Sequence, residues 1–155
     1  MRPEERLAAL GITLPEVPKP VAAYVPAVAA GPWVWTSGQL PVRDGQLVYR
    51  GRLGEEVDLD SGYQAARLAA INCLAALKAQ LGELDRIARV VMVAGYVASA
   101  PGFCDQSKVV NGASELLADV FGDAGAHARI AVGVAQLPLG APVEIQMMVL
   151  LKEQQ

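Results

Sequence analysis

The chain has 155 residues, of which 53% are hydrophobic and 19% are charged, and its formal net charge is −3. This composition indicates one folded domain with a sizeable core and excludes a disordered chain. A nucleic-acid binder usually has a basic excess, whereas here 13 basic residues stand against 16 acidic ones, so we expect no nucleic-acid partner. The low charged fraction indicates apolar surface covered by another subunit, and hence a homo-oligomer.

The N-terminus and the few sulfur and imidazole groups exclude further classes. The opening "MRPEERLAALG" contains acidic residues and no long apolar run, so it is not a signal peptide. No run is apolar enough to span a membrane, and we expect a cytoplasmic protein without membrane contact. One histidine and two distant cysteines, Cys73 and Cys104, cannot supply a typical zinc site. Cys73 lies among alanines, which favours a small buried thiol.

Glycines and prolines divide the first third of the chain into short elements. A short helix is predicted over residues 3–10, ended by Gly11 and the proline-rich stretch that follows. Two short strands are predicted around the Gly31–Pro32 turn, the second over 33–37. A hairpin or exposed loop follows, with Asp44–Gly45 as its turn.

Apolar spacing predicts two helices and a strand in the middle of the chain. The first helix begins at Asp60 or Ser61, either of which can cap it, and ends near Leu81. The β-branched run 89–98 predicts a buried strand. A second helix, capped by its first residue, is predicted over 105–121.

Two final strands are predicted near 129–136 and 142–151. The resulting order, two strands, a loop, helix, strand, helix and two strands, predicts an α+β fold. We expect a mainly antiparallel sheet with both helices on one face. Its second face would be apolar and uncovered, and oligomerisation through that face is the simplest way to bury it.

Two charges lie in this apolar C-terminal region. Arg129 shares its strand face with Ala131, Gly133 and Ala135, which have little side-chain volume. This pattern predicts a pocket floor beside a guanidinium, which binds a carboxylate through two parallel hydrogen bonds. The alternative is a structural salt bridge from Arg129 to Glu144 or another acid.

The position of Glu144 bears on that alternative. If the last two strands formed a tight hairpin, Glu144 would lie opposite Ala135, about 20 Å from Arg129. Either the connection is not a tight hairpin, or the two charges meet across a subunit boundary. We favour the second hypothesis. An interface acid without a chemical role is the other interpretation of Glu144.

Three motifs resemble the RidA family, also called YjgF/UK114-like or "endoribonuclease L-PSP". They are "WTSGQLPV" at 35–42, "VVNGASELL" at 109–117 and "HARIAVGVAQLPLGAPVEIQ" at 127–146. The beginning of the chain is similar to the longer branch of that family, which has an N-terminal extension. The resemblance therefore divides the chain into an extension, 1–20, and a single RidA-like domain, 21–155.

The resemblance implies a chorismate-mutase-like α+β fold assembled as a homotrimer, with ligand sites between subunits. It implies hydrolytic deamination of reactive enamine or imine acids, such as 2-aminoacrylate or 2-iminopropanoate, to 2-oxo acids and ammonia. Neither a metal nor an organic cofactor is implied. One alternative is a non-catalytic trimer that binds small carboxylate metabolites in a regulatory role. An endoribonuclease is a third, with less support from the charge balance.

The resemblance also assigns roles to individual residues. Arg129 would bind the substrate carboxylate, Glu144 would orient or deprotonate the attacking water, and the Ala131 carbonyl would help to hold that water. Relatives often have a cysteine at the position of Ala131, and alanine excludes thiol chemistry there.

Four further residues are candidates for substrate contact. Ser37 and Gly38 would contact the substrate nitrogen or carboxylate, although a simple turn explains them almost as well. Asn111 matches the family's asparagine, and its alternative is an ordinary helix–loop hydrogen bond. Tyr24 would close the site, and its alternative is core packing.

Other conspicuous residues receive structural interpretations. His127, the only imidazole, lies in a Gly/Ala-rich loop without an evident orienting partner, and we expect it to be exposed to solvent. Trp33 and Trp35 share one strand face, which favours an interface or the core over base stacking. Five serines lack a recognisable nucleophile context: Ser37, Ser61, Ser99, Ser107 and Ser114.

Overall fold

A computed structural model describes residues 1–18 and 21–154. Within them, three α-helices and seven strands follow one another along the chain. Their bounds are α1 Pro3–Ala9, β1 Ala27–Ala30, β2 Trp33–Thr36, β3 Val42–Arg43, β4 Gln46–Leu47, α2 Leu59–Leu81, β5 Ile87–Ala98, α3 Gln106–Phe121, β6 Ala128–Val134 and β7 Val143–Leu151.

Five of these strands form one sheet in the order β1-β2-β7-β5-β6. All neighbouring pairs are antiparallel except β5 and β6, which are parallel. The last two strands therefore do not form a hairpin, because β5 lies between them. A tight hairpin from β6 to β7 was one of the two arrangements considered from sequence, and it is wrong.

The helices cover one face of this sheet, so the predicted α+β class is confirmed. Alternate residues of β5 and β7 point into a shared apolar layer with the inner sides of α2 and α3. The fully buried side chains of this layer include Val93, Val97, Ile145, Met147 and Val149. Helix α1 also packs here, because its Leu7 is buried in the same core.

The observed turn between β3 and β4 agrees with the sequence prediction, whereas the start of helix α2 differs from it. Helix α2 begins two residues before the expected start, because the Asp58 carboxylate accepts the backbone N–H of Ser61 at 2.8 Å. The predicted caps at Asp60 or Ser61 are therefore wrong. The hairpin turn between β3 and β4 is confirmed, since Asp44 and Gly45 have φ values of 53° and 76°, as a type I′ turn requires.

The two long helices approach each other closely at one glycine. A Cβ atom added to Gly112 in α3 would overlap the backbone carbonyl oxygen of Tyr63 in α2. Backbone atoms cannot move aside as a side-chain end can, so this position needs a residue without a side chain. Gly112 therefore sets the distance between α2 and α3.

The other face of the sheet has no covering element among the described residues. Trp33, Trp35 and Met148 lie there half-buried, which places the tryptophans outside the chain's own core. Ile130 and Val132 are 48% and 38% exposed. We call this surface the outer face.

Candidate functional site

Arg129 lies on β6, on the side of the sheet that the helices cover. Its strand partner is the buried Val93. Its Nη1 donates to Oδ1 of Asn111 at 2.7 Å and to Oγ of Ser114 at 3.2 Å, both on α3. Asn111 and Ser114 are three residues apart on one helix, so they present neighbouring side chains to the same guanidinium nitrogen.

Arg129 has no acidic partner within 4.0 Å among residues 1–18 and 21–154. The alternative of an ion pair with Glu144 in the same chain is therefore wrong. Within the same residues, only Nη1 donates a hydrogen bond to the protein. The edge formed by Nε and Nη2 is the one that binds a carboxylate through two parallel bonds.

His127 is held next to this arginine, contrary to the prediction of an exposed ring without partners. Its Nδ1 lies 2.6 Å from the carbonyl oxygen of Gly125, and its Nε2 lies 2.9 Å from Oγ of Ser114. The ring is half-buried. Ser114, one of the five serines without a nucleophile context, thus links His127 to Arg129. Its spacing of three from Asn111 was the one available signal.

A surface cavity of about 630 Å³ opens beside these groups. It is lined by Ser114, Ala118, Gly122, Asp123, Gly125, Ala126, His127 and Arg129. The cavity lies at the beginning of β6 and is not lined by Ala131 or Gly133. A Cβ on Gly133 would lie 2.8 Å from Nε2 of Gln106 in α3. Gln106 therefore takes up part of the space beside Gly133 within one chain, and the pocket floor predicted along the small residues stays a prediction.

The backbone of β6 is open on one side. Val134 accepts a hydrogen bond from the Ser99 backbone at 2.9 Å, so its carbonyl points toward β5. Backbone groups alternate in direction along a strand, and the N–H and C=O of Ala131 therefore point away from β5. Among the described residues β6 is the last strand of the sheet. The Ala131 carbonyl therefore has no strand partner in the described part of the chain.

Glu144 lies on β7 and points to the outer face, in register with Tyr96. Its side chain lies against Gly38, where an added Cβ would be 2.8 Å from Glu144 Cδ. Burial raises the pKa of the Glu144 carboxyl above its usual range. No basic group lies within 4.0 Å of this carboxylate in the described part of the chain.

The turn that carries Gly38 is fixed by its neighbours. Ser37 donates from Oγ to the Val25 carbonyl at 2.5 Å and from its backbone N–H to the Pro26 carbonyl at 2.7 Å. The Oγ1 of Thr36 accepts the Met147 N–H at 3.1 Å. These bonds hold the end of β2 against the neighbouring segments. Thr36 is buried, and its role in this turn was not predicted from the sequence.

Tyr24 and Cys73 lie near this turn and differ in their exposure to solvent. Tyr24 is 64% exposed, so the alternative of core packing is wrong. Its role in closing a site stays a prediction. Cys73 is fully buried behind the turn and accepts a hydrogen bond from Thr36 at 3.7 Å. Burial raises the pKa of its thiol to about 12, so Cys73 is the inert thiol that its alanine-rich surroundings predicted.

The candidate residues therefore form two separate groups. The Arg129 half-site contains Asn111, Ser114, His127, Arg129 and Ala131, and the Glu144 half-site contains Ser37, Gly38 and Glu144. Arg129 is in register with Met147, three residues from Glu144 on β7. Two strand spacings of about 4.8 Å and three residues of about 3.3 Å separate the two Cα atoms by roughly 14 Å.

The side chains of the two half-sites also point to opposite faces of the sheet, because three is an odd offset along a strand. They cannot act on one small molecule within one chain. Over residues 1–18 and 21–154, no three His, Cys, Asp or Glu side chains are grouped so that they could hold a metal ion. No helix there is both long and apolar enough to cross a membrane.

Comparison with known proteins identifies similar chains. A family model described as "YjgF/chorismate mutase-like, putative endoribonuclease" matches residues 4–151. Protein TCP17 of Trypanosoma cruzi is 46% identical over 144 residues, which span 92% of this chain and 90% of that protein.

Solved structures share both sequence and fold with the chain. A protein of unknown function from Agrobacterium tumefaciens is 46% identical with a TM-score of 0.91, over 97% of this chain and 92% of that one. A "putative endoribonuclease" from Shewanella oneidensis MR-1 is 36% identical with a TM-score of 0.94, over 97% of this chain and 100% of that one.

Proposed function

We propose that this protein, which belongs to the YjgF/RidA family, hydrolyses reactive enamine and imine acids to 2-oxo acids and ammonia. Its substrates would be small molecules such as 2-aminoacrylate and its tautomer 2-iminopropanoate. The observation that carries the proposal is the state of Arg129: its Nη1 is held by two neutral acceptors, and no carboxylate of the described residues lies within 4.0 Å of its guanidinium. Such a guanidinium is suited to bind a substrate carboxylate.

A complete site would require a second copy of the chain, and we propose a homotrimer. The outer face exposes Ile130 and Val132 next to the half-buried tryptophans, and apolar surface of this kind is normally covered by another subunit. The Glu144 half-site lies on that face, and the Ala131 backbone lies at the open edge of β6. Packing the edge of one copy against the outer face of the next would join the two half-sites.

The proposed reaction uses positioning and one proton carrier. Arg129 binds the carboxylate, which places the imine carbon near a water held by the Ala131 carbonyl and Glu144 of the neighbouring copy. The water oxygen forms a bond to that carbon as the C=N π bond breaks, and Glu144 takes a water proton and passes it to the nitrogen, which gives a carbinolamine. Glu144 then takes the proton of the new hydroxyl group and gives it to the amino nitrogen as the C–N bond breaks, so ammonia leaves and the 2-oxo acid forms. The raised pKa of Glu144 suits a group that must both accept and return a proton. Holding the water next to the carbon supplies much of the acceleration.

The test is the rate at which 2-aminoacrylate, released by a separate dehydratase, becomes a 2-oxo acid. Arg129→Ala should lower kcat/KM by at least about 10-fold, because it removes charge-assisted hydrogen bonds to the carboxylate. Arg43→Ala is the matched control, since Arg43 lies exposed on the β3–β4 hairpin. Unchanged turnover in Arg129→Ala would rule out the mechanism, provided that sedimentation shows the same assembly.

Glu144→Gln separates binding from hydrolysis. This variant keeps the size of the side chain but cannot take the water proton, so we expect it to bind a 2-oxo acid and to lose turnover. A wild-type protein that binds a 2-oxo acid without accelerating hydrolysis would instead be a non-catalytic binder of carboxylate metabolites.

A further inference from the structure

We propose that Ser114 and His127 position Arg129 and make its affinity for a carboxylate depend on the charge of His127. This inference rests on the proposed function only in taking Arg129 as the group that binds the carboxylate. Ser114 and His127 are positioning residues in this scheme, because they act on the ligand through the guanidinium.

The three hydrogen bonds that join Gly125, His127, Ser114 and Arg129 each have a defined direction when the His127 ring is neutral. A carbonyl oxygen only accepts, so the 2.6 Å contact between His127 and the Gly125 carbonyl places a proton on Nδ1. In a neutral ring Nε2 is then an acceptor, and the Ser114 hydroxyl donates to it over 2.9 Å. The Ser114 oxygen keeps a lone pair, which accepts from Nη1 of Arg129 at 3.2 Å. With a neutral His127 ring, each donor in these three contacts therefore has an acceptor.

The hydrogen bonds from Asn111 and Ser114 restrict the orientation of the Arg129 guanidinium. Asn111 and Ser114 both accept from Nη1, so two contacts fix the plane of a side chain that otherwise has many rotamers. That orientation leaves the edge formed by Nε and Nη2 for the ligand. Ser114 is held in place for this contact by its hydrogen bond with His127, whichever of the two groups donates. Loss of either residue should therefore let the guanidinium rotate.

The charge of the His127 ring should affect carboxylate binding, because histidine is the side chain that changes charge near neutral pH. A protonated His127 would donate from Nε2 to the Ser114 oxygen, the hydroxyl proton would turn elsewhere, and the second lone pair of that oxygen would still accept from Nη1 of Arg129. It would also add a second positive charge to the Arg129 half-site. A bound carboxylate would be attracted by both charges.

Other charged groups lie in the neighbourhood of the ring. Arg129 approaches through Ser114, and Arg89 of β5 donates to the carbonyl of Ala126, the residue before the histidine. The one acid of the cavity lining is Asp123, which is exposed.

The experiment measures pyruvate binding by calorimetry in four variants of the full chain. Ser114→Ala and His127→Asn should each weaken binding about 3- to 10-fold at neutral pH, the effect of one lost hydrogen bond. Asparagine is long enough to reach the Gly125 carbonyl but too short to reach Ser114. His127→Gln should bind almost as well as wild type, because its amide oxygen can accept from Ser114. Ser107→Ala is the control, on the same helix but exposed.

The pH dependence of pyruvate binding distinguishes this proposal from a purely structural role of His127, which would not produce such a dependence. Pyruvate binding by wild type should tighten as the pH falls through the range in which histidine becomes charged. His127→Gln should bind equally well across that range. An equally steep profile in His127→Gln, or unaltered binding in Ser114→Ala, would overturn the proposal. Absence of pyruvate binding by wild type would overturn it as well.

Failure of this inference and failure of the proposed function have different signatures. If wild type binds pyruvate with the expected pH profile but does not hydrolyse 2-aminoacrylate, the proposed function is wrong and the positioning role stands. If wild type hydrolyses 2-aminoacrylate while Ser114→Ala and His127→Gln match it in KM, kcat and pH profile, only the positioning role is wrong.

Discussion

The two faces of the sheet are built from the same strands but are covered differently. On the helix-covered face, alternate residues of β5 and β7, such as Val93 and Met147, are buried by the chain's own helices. On the outer face the intervening residues, such as Val132 and Met148, stay exposed or half-buried. One face therefore supplies the stability of the single chain, and the other is available for contact with a second copy.

The largest effect is expected from a charge on the outer face. Val132→Lys would place an ammonium group in the apolar surface that the proposed trimer buries, where an unpaired charge is costly. We expect the assembly to dissociate into monomers that remain folded, because the helix-covered face is untouched. Sedimentation velocity gives the mass, and circular dichroism gives the helix content.

The chain offers a matched control for this change. Val48 has nearly the same exposure, 39% against 38% for Val132, but lies after the β3–β4 hairpin and outside the five-stranded sheet. Val48→Lys should leave the mass unaltered. If both variants sediment like wild type, the outer face is not the interface between copies.

The next effect is expected on the helix-covered face, at Gly112. In an isolated helix, glycine to alanine is stabilising by about 1 kcal/mol. Here the added methyl group would overlap the Tyr63 carbonyl oxygen, and we expect Gly112→Ala to lower the free energy of unfolding by at least about 2 kcal/mol. Urea titration measures the change, with Ser107→Ala on the exposed side of α3 as control. A stabilised Gly112→Ala would contradict the close packing of α2 and α3.

The smallest effect is expected from the charge of Glu144. Because burial raises its pKa in the folded chain, this group contributes stability that is present below its unfolded pKa and is lost as the pH rises through the folded pKa. At neutral pH the ionised carboxylate therefore destabilises the fold. Glu144→Gln should raise Tm there, on the order of 1 °C, and should have less effect in acid. Glu153→Gln, at the exposed C-terminal end, should show neither change. A lower Tm for Glu144→Gln at neutral pH would mean that the carboxylate has a stabilising partner.

Much of the fold was predictable because helix and strand patterns are local. The spacing of apolar residues in α2 and α3 placed both helices to within a few residues, and the β-branched run placed β5. Strand order was not predictable in the same way. No pattern within β6 or β7 predicts that β5 lies between them, because β5 pairs with strands that are distant from it in the chain.

Some residues of the candidate site could be recognised from the sequence, and others could not. Arg129 was recognisable because a charge within an apolar strand needs an explanation, and Asn111 because it is polar on an apolar helix. The partners of His127 were not recognisable. Its ring meets Ser114 only because α3 packs against the beginning of β6, and a carbonyl acceptor such as that of Gly125 has no sequence signature.

Residue types and their spacing over a few positions were enough to predict the main elements, the α+β class and an unusual arginine. Three other features appear only in the folded chain: Arg129 and Glu144 point to opposite faces, Gly133 lies against Gln106, and Ser114 joins His127 to Arg129. Each of these contacts joins segments that are distant in the chain, or depends on how strands and helices stack, and packing in three dimensions sets such contacts.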